Sequence, residues 1–347
     1  LIKKEKIDKI KVIRVRVPSL LHNSIKNRIF LHLSFLISSL FPIFSEKPDF
    51  IFASEPNLFS IIPAFFYSKL RGGTVIRVVD DLWPEVLYER NIIKNKFFKI
   101  FLNKLAKFSY SFPSIILPLT EEAAQHIGRL YKINKDKIIV IQHGVNTEIF
   151  KPLPKKIQKE FVVMYSGALV ESYDFDIIFE AAKILKNKNI KFIIRGKGIL
   201  QDYLVNKKNQ LNLEKVIIDK EIVSEKKLVE KLNEADVFVV PMKNDKFLNM
   251  SLPTKILEYQ ALGIPVICCS DGSPGNYIKK TNSGIKINSG DVHKFQKEIL
   301  NLVENKEFTL KLGNNGKEFV EKNLSFKIIE NTLNDIIINL IKKSNKI

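Results

Sequence analysis

Ser251-Leu-Pro-Thr-Lys-Ile-Leu-Glu-Tyr-Gln-Ala-Leu-Gly-Ile-Pro-Val-Ile267 reads as a helix that runs directly into a buried strand. Pro253 suits the first turn of a helix, and Ser251 or Thr254 can cap it. Gly263 ends the helix, and Pro265 opens an apolar run through Cys269. Such a helix-to-strand step is the unit of a parallel sheet covered by helices.

Outward from this stretch the same alternation fills the chain. Strands are expected at 11–17, 50–53, 74–79, 114–118 and 137–142, with helix-sized segments between them. The pattern restarts with 161–166, 190–195, 216–219, 237–241, 265–269 and 284–287. Between the two sets lies Lys151-Pro-Leu-Pro-Lys-Lys-Ile-Gln-Lys159, proline-bearing, charged and without periodicity, as an interdomain linker is. The expected fold class is therefore α/β, with two Rossmann-like, doubly wound parallel-sheet domains facing a cleft. The domains are 1–150 and 151–324, and 325–347 forms a C-terminal amphipathic helix placed to pack back on the first domain.

Composition narrows the function classes. The chain has 347 residues and 45% hydrophobic content, enough for two real cores. Lysine and arginine outnumber the acids 56 to 37, a net charge of +19 that suits an anionic partner. The abundance of Lys, Ile and Asn is also what a coding bias produces. Cys268 and Cys269 are adjacent in an apolar run and can form neither an ordinary disulfide nor a metal site, which fits a reducing, cytoplasmic location. The apolar stretch 29–44 falls short of the roughly 20 residues a spanning helix needs, so a core or membrane-resting helix is expected there. No secretory signal is visible, and Leu1 in place of methionine suggests a truncated or processed chain.

Several constellations could carry chemistry. At Pro253 the free backbone N–H groups and positive dipole end of a helix make an anion site. Lys255 adds a cation for a diphosphate, and Glu258, a turn further on, can accept hydrogen bonds from ribose hydroxyls. On spacing alone, a well-capped helix with a solvated lysine and glutamate fits equally well. Arg195-Gly-Lys-Gly198 lets a strand turn closely past a ligand between two cations, or is a plain strand-to-helix turn. Asp174-Phe-Asp176 has the Asp-x-Asp spacing of metal-dependent sugar transferases but sits at a helix start, where acids stabilise the dipole. With no His/Cys cluster of metal spacing, no bound metal is expected. Asp80, Asp81 and Trp83 follow a strand, where ligand-binding loops lie, although Asp81 could cap a turn and Trp83 fill core. Residues 90–108 carry Arg90, Lys94, Lys96, Lys99, Lys104 and Lys107, interleaved with Phe97, Phe98, Ile100, Phe101 and Leu105. That helix could meet an anionic membrane surface or turn its apolar face to the core. No recognised basic-aromatic module is present, so no nucleic acid is expected.

Pro253-Thr-Lys-Ile-Leu-Glu-Tyr259 with Ala261, Gly263, Pro265 and Val266 resembles the donor-site motif of retaining glycosyltransferase family 4, of GT-B fold. Val140-Ile-Gln-His-Gly-Val-Asn-Thr-Glu-Ile-Phe-Lys-Pro152 is similar to the segment by which that family leaves its first domain. Asp80-Asp-Leu-Trp-Pro-Glu85 resembles the loop of members that build surface polysaccharides and lipid-linked sugars. The resemblance implies transfer of a hexose or N-acetylhexosamine from a nucleoside diphosphate sugar to a hydroxyl of a glycan or lipid-linked acceptor, with retention and no cofactor. It implies that Glu258 holds the ribose and that the amides of Ser251, Leu252, Pro253 and Thr254 contact the diphosphate or sugar. Lys255, Gly167, Arg195, Gly196 and Lys197 complete the donor set, while Asp80, Asp81 and Trp83 lie on the acceptor side. His143 beside Gly144 is structural or cleft-lining. No catalytic base is indicated.

The pattern departs from the family in places. Many members carry a second glutamate where Met250 stands, so either backbone groups near Asn249 hold the donor sugar or its grip is weak. The loop Ser166–Tyr173 lacks the cation often found there. Members normally begin with a buried strand and a Gly-rich loop, and nothing before Lys11 supplies either. An incomplete or inactive binding partner, or an epimerase of the same fold, are therefore the alternatives.

Overall fold

The computed structural model describes residues 2–18, 25–54, 58–89, 92–154 and 159–344. The chain forms two compact units, Leu1–Ile141 and Gln142–Ile347. They part ahead of the expected linker, of which 155–158 lie outside the described residues. Val145 and Phe150 are buried in the core of the second unit, so the segment bearing them goes with that unit.

The first unit contains β1 (Ile2–Ile7), β2 (Ile10–Val15), α1 (Ile25–Ser45), β3 (Phe50–Ala53), α2 (Ile61–Arg71), β4 (Thr74–Val79), α3 (Glu85–Glu89), α4 (Lys96–Ser111), β5 (Ile115–Pro118) and α5 (Glu121–Tyr131). Strands β3, β4 and β5 form a parallel sheet in chain order. Two expected strands turn out otherwise. The run from Lys11 does not enter this sheet: β2 pairs antiparallel with β1 in a separate hairpin, turning at Asp8 with φ 53°. The charged run Ile2–Ile7 carries little apolar signal, and so its partner reads as a lone strand. Residues 137–142 make no strand; after a 3₁₀ turn they run extended beside β5, where the Ile139 and Ile141 amides donate to the Ile116 and Pro118 carbonyls at 2.9 and 3.0 Å.

The second unit contains β6 (Phe161–Ser166), α6 (Asp176–Ile184), β7 (Ile190–Arg195), α7 (Gln201–Gln210), β8 (Val216–Asp219), α8 (Glu225–Leu232), β9 (Val237–Pro241), α9 (Thr254–Ala261), β10 (Val266–Cys269), α10 (Ser273–Thr281), β11 (Gly284–Ile287), α11 (Val292–Glu304), α12 (Lys306–Asn323) and α13 (Phe326–Ser344). All six strands are parallel, in the order β11-β10-β9-β6-β7-β8. Alternation along β6 builds two cores, since Val163 and Tyr165 join one with α6 and α11, whereas Val162 and Met164 join the other with α9 and α10. Cys268 and Cys269 point into opposite cores by the same rule, both free and buried. The start of α13 is tied to its own unit: the Val145 amide donates to the Leu324 carbonyl at 2.8 Å and the Phe326 amide to the Val145 carbonyl at 3.0 Å. A Cβ on Gly144 would press within 2.9 Å of the Phe326 ring, so this close crossing depends on the glycine.

The fold is thus α/β with two Rossmann-like domains. Among the described residues, no helix is long and apolar enough to cross a membrane.

Candidate functional site

From β6 the chain winds outward through β7 and β8, then crosses back to build β9, β10 and β11 on the other side. The strand order reverses between β6 and β9, and in such sheets ligands bind beyond the carboxyl ends of the strands at that reversal. Two loops meet there. Residues 167–175 follow β6 and residues 242–253 follow β9, joined by Asp174 N–H to the Pro241 carbonyl at 2.7 Å and Lys243 N–H to the Ser172 carbonyl at 3.1 Å.

The second loop leads into α9. Pro253 occupies the N-cap with extended backbone (φ −61°, ψ 126°), and no side chain bonds the first amides. Neither expected cap is used: Ser251 gives its hydroxyl to the Leu248 carbonyl at 2.9 Å, and Thr254 is exposed as the first helical residue. Amides without a side-chain cap at a helix start favour an anion. Lys255 and Glu258 are both half-buried. Burial pushes the Lys255 ammonium down to about 7 against the opposing pull of Glu258. Burial likewise pushes the Glu258 carboxyl up, against the pull of Lys255.

Lys255 Nζ donates to the Tyr165 hydroxyl at 2.7 Å and lies over the rings of Tyr165 and Tyr173. Gly167 takes φ 146°, and a Cβ there would overlap Lys255 Nζ, so the glycine makes the notch in which the ammonium sits. Tyr259 locks helix to loop, its hydroxyl donating to the Ser166 carbonyl at 2.6 Å and accepting from the Ser166 amide at 2.9 Å. Its ring stacks on Phe238 at 3.7 Å. Gly167, Lys255 and Glu258 thus converge on one place, with Ser251 to Thr254 leading into it.

Residues 146–319 match the family of glycosyl transferases group 1. This chain belongs to that family. It is 23% identical over 267 residues to the capsular polysaccharide biosynthesis glycosyltransferase CapM of Staphylococcus aureus, covering 72% of this chain and 67% of CapM. It spans about half the length of several further curated glycosyltransferases that it matches. Its fold is similar to sucrose-phosphate synthase of Thermosynechococcus elongatus, with a TM-score of 0.77 at 14% identity over 99% of this chain and 86% of that one. HepE of Anabaena, solved in complex with UDP, gives 0.71 at 14% identity over 88% and 82%.

In this group 1 glycosyltransferase the Arg195-Gly-Lys-Gly198 turn divides its labour. The expectation that Arg195 faces a phosphate fails on geometry, because the side chain is only 4% exposed and its guanidinium is bound to the Asp219 carboxylate and, at 2.8 Å, to the Glu221 carbonyl. Burial alone would raise the Asp219 carboxyl, yet the Glu221 amide, Lys231 and Arg195 hold it below its usual range. Arg195 therefore fastens β7 to the turn after β8. Gly196 approaches the Gly167 carbonyl so closely that a Cβ would overlap it. Lys197 is exposed, and its carbonyl accepts from the Leu169 amide at 2.9 Å. This brings Gly196 and Lys197 beside the Gly167 loop and leaves Lys197 as the available cation.

Asp174 and Asp176 stand at the start of α6. The Asp174 carboxylate accepts from the Asp176 amide at 3.2 Å, and Asp176 pairs with Lys207 at 2.7 Å. Among the described residues, no group of His, Cys, Asp and Glu is arranged to hold a metal.

Within the first unit, Asp80 is half-buried with Ser54 Oγ 3.5 Å from its carboxylate, Asp81 is exposed, and Trp83 is half-buried with its carbonyl 3.4 Å from the Tyr110 hydroxyl. Glu85 anchors this loop, buried at 5% exposure, with its carboxylate accepting from the Tyr131 hydroxyl at 2.6 Å and lying 3.5 Å from His126 Nε2. The sequence offered no hint of a buried acid there. The helix expected over 90–108 is α4, capped by Asn95 accepting from the Phe98 amide at 3.0 Å; Arg90 lies outside the described residues. Leu102 and Ala106 enter the core, while Phe97 is 84%, Ile100 53% and Phe101 50% exposed. His143 is half-buried beside Gly144.

Proposed function

We propose that this protein is a retaining glycosyltransferase of family 4 that moves a hexose or N-acetylhexosamine from a nucleoside diphosphate sugar to a hydroxyl of a glycan or lipid-linked acceptor. One observation carries the reading: at the strand-order reversal, the uncapped start of α9 and the Lys255 ammonium converge on the loop at Gly167. In the proposal the amides of α9 and its approach, with Lys255 and Lys197, neutralise the diphosphate as it departs, the largest single contribution such a site can make. Glu258 accepts from the ribose hydroxyls. The main chain around Asn249, packed so tightly against Gly272 that a Cβ there would overlap it, takes the place of the glutamate absent at Met250 in holding the sugar.

Asp80, Asp81 and Trp83 serve the acceptor. The exposed Phe97, Ile100 and Phe101, with Lys96, Lys104 and Lys107 on the same helix, rest on the anionic inner face of the cell membrane, where a lipid-linked acceptor would be found. The reading requires no metal. Its test is incubation with UDP- and GDP-linked sugars and membrane lipid extract, following released nucleotide. Release that depends on the extract supports transfer; an isomerised sugar, or binding without turnover, refutes it.

A further inference from the structure

The donor lysine is held by groups that lie outside its own helix. Lys255 Nζ sits 4.2 Å from the centroid of the Tyr165 ring and 4.1 Å from that of Tyr173, inside the about 6 Å within which a ring face attracts a cation. The Tyr165 hydroxyl accepts from the same nitrogen at 2.7 Å and donates to the Ala168 carbonyl at 2.6 Å, tying the ammonium to the loop that carries Gly167. Both rings are themselves fixed. Tyr165 is fully buried on β6 and meets Phe175 edge-on at 4.9 Å and 89°. Tyr173 packs on Tyr165 at 5.2 Å, and its backbone is bridged to Met242 of the facing loop. A free lysine side chain is among the most mobile, and ordering it on binding subtracts from affinity. Here that ordering precedes the ligand.

We propose that Tyr165 and Tyr173 are positioning residues for the donor: they enclose the Lys255 amine and aim it over Gly167, so that the diphosphate of a nucleoside diphosphate sugar meets a side chain already in place. The inference rests on the donor reading given above and adds to it two residues of β6 and its loop. Tyr165 supplies a ring and a hydrogen bond to the amine, and Tyr173 a second ring. Tyr165→Phe therefore keeps the cation–ring contact and frees the amine, whereas Tyr173→Leu removes one wall.

The test is a double-mutant cycle in donor affinity on the full chain, titrating UDP-glucose, UDP-galactose, UDP-N-acetylglucosamine and GDP-mannose by calorimetry. Wild type binds one of the four, and Lys255→Ala weakens it at least tenfold. Tyr165→Phe and Tyr173→Leu each weaken it three- to tenfold, Tyr173→Phe restores most of the loss, and neither tyrosine change matters further once Lys255 is replaced by alanine. Equal losses in the wild-type and Lys255→Ala backgrounds would show that the tyrosines act only through packing and overturn the inference while leaving the donor reading intact. Wild type that binds none of the four, or Lys255→Ala that binds as wild type does, refutes the donor reading itself and the positioning role with it.

Discussion

On the proposed donor reading, Lys255 should make donor binding depend on pH in a direction set by its burial. An ordinary lysine is protonated throughout the physiological range, but burial against Tyr165 and Tyr173 brings this one to about 7. A diphosphate favours the ammonium, so binding should draw a proton onto Lys255, and the apparent affinity should follow the fraction already protonated. That fraction is about nine-tenths at pH 6, a half at pH 7 and a tenth at pH 8, so affinity should fall about fivefold from pH 7 to 8 and roughly tenfold, about 1.4 kcal/mol, over the next unit. A nucleoside diphosphate sugar is the appropriate probe, since its diphosphate, esterified at both ends, has no proton to lose in this range and the slope belongs to the protein. Calorimetric titration between pH 6 and 9 in buffers of different ionisation enthalpy should show about half a proton taken up per donor at pH 7 and nearly one at pH 8. Lys255→Met should bind weakly with no pH dependence. A flat affinity profile for wild type, or uptake that persists in Lys255→Met, would refute the reasoning. The same depression has a stability consequence. Between pH 7 and the ordinary lysine value the unfolded chain binds the extra proton, so stability contributed by this group rises with pH through that window and is at its lowest below 7.

Four further outcomes are expected. Glu258→Ala should weaken donor binding at least tenfold, the scale of a lost hydrogen bond to a charged group, and unaltered affinity in a titration would remove Glu258 from the site. Arg195→Ala should lower stability by about 1–3 kcal/mol in denaturant unfolding, because it removes the buried guanidinium that bonds the Asp219 carboxylate and the Glu221 carbonyl and leaves Asp219 to Lys231 and the Glu221 amide, while donor affinity of the folded protein changes little. Lys197→Ala should do the reverse, leaving stability alone and weakening the donor by no more than roughly fivefold, as suits an exposed charge. Replacing Lys96, Lys104 and Lys107 by alanine should reduce sedimentation with anionic liposomes and leave binding to neutral ones unchanged; retention on anionic vesicles would sink the membrane role of α4.

What the sequence discloses and what it hides follow from how far each signal reaches along the chain. The strands of the second unit are legible because the inner ones, buried on both faces, are near-continuous apolar runs, and the half-buried edge strands β8 and β11 also stand where they are expected. The hairpin Ile2–Val15 is not, because half of it is a charged ribbon whose apolar residues are too few to mark a face. The bounds of α9 are legible because Pro253, Gly263 and a polar approach each act within one turn. Its cap is not, because whether Ser251 bonds an amide ahead or the Leu248 carbonyl behind depends on a 3₁₀ turn that Asp245 sets, accepting from the Phe247 and Leu248 amides at 2.9 Å each.

Arg195 shows the same limit from the other side. Two glycines flanked by two cations make a fair phosphate loop on paper, but the sequence cannot say that Asp219, on the neighbouring strand, ends in register with Arg195 and takes its guanidinium. Pairing across a sheet is long-range and assigns the buried cation to structure and leaves the exposed one, Lys197, to solvent. Tyr165 and Tyr173 pass unnoticed for a related reason, since one reads as a strand residue and the other as a loop aromatic, and only the return of the chain from β9 through α9 sets an ammonium between them. The backbone parts of the proposed donor site are thus written locally, whereas the parts that tune charge are written in the order of the strands.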